Sequence, residues 1–443
     1  MNFKAKILKK ESVTPTFEIS LQARHAAASA LPAWRWSTLV TAPHRLAFAA
    51  GALIMAASAL WWAAVLVARV ASVDIEWVMP PSIAHSVLMT FGSMPLFFLG
   101  FLFTAGPKWL GQSPVNPVVL VRPVLLTVVG WLFYVPSVHV HVLAASVCVA
   151  FAAVGWTVTT ARFVALVRSS RAKDRVHAKL VMVACVVGTV ALWGVVFGLL
   201  FEAFALIRIC VLVGLWGFVA VVYLSVAHRM IPFFTANVVP MLTAWRPTWL
   251  LGLFVSALLF ELAFAVLELV VWPLPRTLRA CQVVIEAPAA LALLVIAVRW
   301  GLMHSRRERL LAMLHVGFAW FGVTMALQAA SHALMLLTDG GRSLGLAPTH
   351  ALTMGFMGAT LMAMASRVSA GHSGRALVAD DFVWRLFWLQ QLAVMLRIVA
   401  AIWLDFAVSL TAIASLVWAT STVLWGVRYG LWYGRPRLDG RPD

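Results

Sequence analysis

The chain has 443 residues, of which 63% are hydrophobic and only 11% charged, with 34 Lys and Arg against 16 Asp and Glu. Soluble domains carry about a quarter of charged residues, so a soluble class is excluded and a polytopic membrane protein is expected. The net charge of +18 does not indicate nucleic acid, because the basic residues fall between apolar runs rather than along one face.

In chain order, residues 1–45 read as a basic N-terminal tail beginning "MNFKAKILKK". The first apolar run is too long for the core of a cleavable signal peptide, so none is expected. Twelve runs long enough to cross a bilayer follow, near 46–69, 81–105, 117–135, 139–167, 180–203, 205–227, 248–271, 280–299, 310–337, 345–366, 384–404 and 406–427. A second basic tail occupies 428–443. The expected fold is all-α, a twelve-helix transmembrane domain over 46–427 between two tails. With both termini on the cytoplasmic side, the inner segments hold 26 of the 34 Lys and Arg, and the outer connectors hold three, Arg276, Arg279 and Arg342. That asymmetry sets the even span number and the orientation. Cys148, Cys185, Cys210 and Cys281 lie in or beside apolar runs with no CxxC pair, which points away from disulfides and thiolate zinc.

No phosphate loop, paired catalytic carboxylates or nucleophile motif is found, and the histidines become the informative residues. His332 lies about five residues before the outer end of the ninth span, and His350 about five after the outer start of the tenth. At 1.5 Å per residue both sit roughly 8 Å below the outer surface. His85, four residues into the second span, falls near the same level. His350, Met354 and Met357 follow an i, i+4, i+7 pattern, and His85 and Met89 repeat the i, i+4 relation. Imidazole with thioether suits haem iron or copper. Gly355 and Gly358 leave room for a porphyrin or for a neighbouring helix. A lone membrane histidine more often bonds a neighbouring helix, and a methionine stripe is more often packing. Three histidines at one depth favour a metal site made of His85, His332 and His350.

An inner set comprises His44, His228, His315 and His372, with Arg45, Arg229, Arg367 and Arg375 nearby in sequence. Arginine here either meets the carboxylates of a cofactor or anchors the helix at the cytoplasmic surface. Glu261, Glu268, Glu286, Arg122 and Arg397 are charges within spans. Glu261 and Glu268 share a face, which allows a proton relay or a structural ion pair with Arg122 or Arg397.

The order "APHRLAFAAGAL", "GFLFTAGPKWLG", "RMIPFFTAN", "HALTMGFMGATLMAMASRVSAGHSGR" resembles the NnrS family over about residues 43–427. The resemblance implies a twelve-span protein of the bacterial inner membrane that contains haem, of b-type, and copper, and is associated with denitrification and the response to nitric oxide. By motif, His44, Arg45, His85, Met89, Arg229, Asn237, His350, Arg367 and His372 occupy family positions. The family commonly reads His-x-His-Glu-Met at the start of the second span, where this chain reads His85-Ser86-Val87-Leu88-Met89. That departure implies one fewer metal ligand and no carboxylate there. The competing expectation is a cofactor-free secondary transporter using Glu261, Glu268, Glu286 and Arg122. Against it, no inverted repeat and no matched pair of broken helices is visible.

Overall fold

In the hydrocarbon core no water is available to the backbone, so a spanning segment must satisfy its own N–H and C=O groups as a helix. The computed structural model, which describes residues 33–239, 241–305 and 308–441, follows this rule in twelve apolar helices. They are α1 (Pro43–Val70), α2 (Pro81–Trp109), α3 (Val118–Ser137), α4 (Val142–Ser169), α5 (Val176–Leu200), α6 (Phe204–Val238), α7 (Thr248–Val270), α8 (Arg276–Trp300), α9 (Arg309–Leu337), α10 (Ala347–His372), α11 (Asp381–Ile402) and α12 (Leu404–Tyr433). The protein is a multi-pass helical membrane bundle. Of the expected N-terminal tail, residues 1–32 lie outside the described residues.

Helix ends follow local chemistry. Proline opens α1 and α2, where a missing N–H costs nothing. Asp380 caps α11 by accepting from the Val383 N–H at 3.1 Å, and His141 does the same for α4 from Leu143. Gly301 ends α8 with a φ of 116°. The expected second span is not one continuous helix: it breaks at Gly92 into Pro81–Phe91 and Ser93–Trp109. A Cβ at Gly92 would stand 2.4 Å from the Leu88 carbonyl oxygen, so only glycine fits that bend. The sixth span runs past its expected end at residue 227 to Val238. Arg229 does not stop it, because its guanidinium lies over Trp109 and reaches Asp174 at 3.6 Å.

The two ends of the described chain meet on one face, where Trp34 Nε1 donates to the Gly430 carbonyl and Arg35 N–H to that of Gly434. This is the terminal face; the opposite one is the far face. The centre of the bundle is α2, α6, α9 and α10, with 67–78% of each apolar window buried, against 28% for α7 and α12. Two central helices widen locally into π turns, over Val213–Val219 in α6 and Ala351–Gly358 in α10. Such turns are frequent at functional sites.

Candidate functional site

His85 on α2 and His350 on α10 are electrostatic neighbours, and Arg397 on α11 acts on both. The three come from two central helices and the one beside α10, near the far face. His85 stacks on Trp62 of α1, with ring centres 4.0 Å apart and planes 22° apart, and its Nδ1 is buried without a hydrogen-bond partner. His350 Nδ1–H donates to the Leu346 carbonyl at 2.9 Å. That bond fixes the tautomer and leaves Nε2 as a lone pair, the usual arrangement of a metal-ligating imidazole. Met89, one turn below His85, is half-buried beside the main core.

The expected group of three histidines is not assembled. Among the described residues no set of three or more His, Cys, Asp or Glu is arranged to hold a metal. His332 has the predicted depth but the wrong direction around α9. Its Nδ1–H points at both Glu286 oxygens at 2.8 Å, and Nε2 lies 3.8 Å from Glu268. The methionine stripe also fails. A π turn takes about one residue more than an α turn, so the i, i+4, i+7 face does not survive residues 351–358. Met354 packs with Ala347, Ala351, Val394 and Ile398, whereas Met357 enters the main core. Gly355 and Gly358 admit helix neighbours: a Cβ at either would stand 2.7 Å from Trp320 or Trp418.

At the terminal face the structure brings His44 and His372 together, with ring centres 4.4 Å apart. Arg45 donates to the carbonyls of Tyr433 and Arg435 at 2.9 and 2.6 Å, which ties α1 to the end of α12. Arg375 lies over Trp432 with a buried Nη1 that meets no acceptor. His228 Nε2–H donates to the Pro247 carbonyl at 3.1 Å, and its Nδ1 accepts from His177 Nε2 at 2.9 Å. His315 bonds Thr235, and Arg367 lies over Phe234. His177 gives no signal in the sequence, because it falls in the connector before the run expected at 180–203, whereas α5 has already begun at Val176. The intramembrane carboxylates find neither of the expected arginines. Arg279 pairs with Glu268, while Arg122 is exposed.

The NnrS family model, described as NnrS protein, matches residues 38–437. The chain belongs to the NnrS family. No curated protein matches it. The NnrS match spans all twelve helices and thus both histidine pairs. Val87 and Leu88 on α2 are fully buried in the core.

Proposed function

We propose that this NnrS-family chain binds haem and copper in the bacterial inner membrane and acts in the response to nitric oxide, with both termini cytoplasmic. The observation that carries this reading is the His85–His350 pair: one imidazole tethered by a backbone carbonyl, the other stacked on Trp62 with an unpartnered buried nitrogen. A buried polar atom without a partner is costly, and a metal bond removes that cost. The donor set fits the group, because neutral imidazoles with a nearby thioether suit haem iron or copper.

When bound, such a centre supplies a site for small diatomic ligands such as nitric oxide. The chain's own residues do the rest. Leu346 holds the His350 tautomer, Trp62 orients His85, and Arg397 offsets negative charge that develops between them. An apolar cavity of about 50 Å³ lies between α1, α2, α6 and α10, lined by residues including Phe48, Phe97, Tyr223 and Met364. It lies in the terminal half of the bundle, roughly 20 Å along α10 from His350, and so is separate from the His85–His350 pair.

The test is the absorption spectrum and metal content of purified protein, with His85→Ala and His350→Ala made singly. Each should lose a Soret band or one metal equivalent while still inserting and purifying. Unchanged spectra and metal counts in both variants would sink the assignment.

A further inference from the structure

Away from the histidine pair, a second set of charged side chains inside the bundle lies on α7, α8 and α9. Glu268 on α7 pairs with Arg279 on α8, whose Nη1 also donates to Gln282 at 2.8 Å. His332 on α9 stands between Glu268 and Glu286. Glu261 on α7 accepts from Gln328 Nε2 at 3.0 Å through Oε2. Its Oε1 is buried and meets no N–H or O–H donor; the carboxyl beside it is that of Glu286. Glu261 lies nine residues before the end of α7, and Glu286 ten after the start of α8. That is roughly 15 Å along either helix, about half of a ~30 Å hydrocarbon core.

Charge balance determines what this set must bind. Fully ionised, three carboxylates face one guanidinium, a surplus of two negative charges. The next cation, Arg276, is taken by Asp339 at the surface. Uncompensated carboxylates in a low-dielectric interior acquire protons or a cation. One proton on His332 makes an imidazolium between Glu268 and Glu286. A second, shared by Glu261 and Glu286, satisfies the orphaned Oε1 and brings the set to neutrality.

We propose that α7, α8 and α9 form a proton-binding site that opens to the far face at Glu268 and closes at mid-membrane on the Glu261–Glu286 pair. Side-chain exposure falls along that route, from 27% at Glu268 through 9% at His332 to 0% at Glu286. A proton from far-face water adds to His332 Nε2, and the ring then releases its Nδ1 proton to Glu286. One proton moves inward, the ring returns to neutral, and no other bond changes.

Infrared difference spectroscopy of the full-length protein in lipid nanodiscs tests the site directly. At neutral pH the unmodified protein should show a protonated-carboxyl C=O band that shifts down in D2O. Glu261→Gln and Glu286→Gln, each isosteric with the protonated acid, should both remove it, whereas Glu268→Gln should keep it. Three results overturn the proposal: no such band in the unmodified protein, a band that survives both mid-membrane substitutions, or a band bleached by sodium at constant pH, which indicates a cation site. The unmodified protein decides the first and third without any variant having to fold. The measurement needs no bound metal, so its failure leaves the reading of His85 and His350 standing, and the reverse also holds.

Discussion

His350 and His332 lie at the same depth on adjacent antiparallel helices, yet their surroundings are opposite. His350 spends one nitrogen on a backbone carbonyl, neighbours His85 and Arg397, and has no carboxylate partner among the described residues. His332 is enclosed by Glu286 and Glu268, with Arg279 close by. An imidazole with a spare lone pair and no anion nearby is disposed to ligate a metal. One clamped between carboxylates is disposed to carry a proton. Depth in the membrane does not distinguish the two roles; direction around the helix does.

The largest expected effect breaks the acidic side of this contrast. Arg279→Met removes the only guanidinium from the set and leaves Glu268 without its cation. Loss of one partner from a buried ion pair costs about 3–5 kcal/mol. Thermal unfolding in detergent should register a large drop, and Glu268→Gln added to Arg279→Met should restore much of it. Equal stability of the single variant and the unmodified protein would remove Arg279 from the balance of charge.

Next comes His332→Ala. It strips the donor from Glu286, and an unsatisfied buried acceptor costs about 1–3 kcal/mol. Metal content and spectrum should stay unchanged, in contrast with His350→Ala. Loss of a metal equivalent in the His332 variant would restore the three-histidine group that depth alone suggests.

The structure does not bring that group together, and the reason is physical. Span number and most boundaries are legible because a bilayer demands uninterrupted apolar length. Depth is legible because helical rise is constant. Azimuth is not, once a helix departs from 3.6 residues per turn. The π turn at Ala351–Gly358 separates Met354 from Met357, and nothing in "ALTMGFMG" announces it. The acids at Glu261, Glu268 and Glu286 stand out in sequence as charges within spans. Their partner does not, because Arg279 falls where the sequence suggests a connector, whereas α8 has already begun at Arg276. His85 stands out in sequence by depth and motif, but its stacking on Trp62 joins spans that no local pattern connects.

The smallest effect sharpens the metal side of the comparison. Arg397 pairs with no carboxylate among the described residues, so Arg397→Leu should alter stability little. Its charge still acts on both His85 and His350. A nearby cation favours the reduced, more electron-rich state of a metal held between those rings. Removing it should therefore lower the reduction potential. With an effective dielectric of about 20 and a separation of about 10 Å, the interaction is roughly 1–2 kcal/mol, a shift of roughly tens of millivolts. Redox titration of the metal-loaded protein measures this. Arg397→Lys, which keeps the charge, should recover most of the shift, and a purely structural role for Arg397 predicts no such recovery. A potential unmoved by Arg397→Leu would place the bound metal away from the His85–His350 pair. The contact between His44 and His372 at the terminal face would then be the next place to look for it.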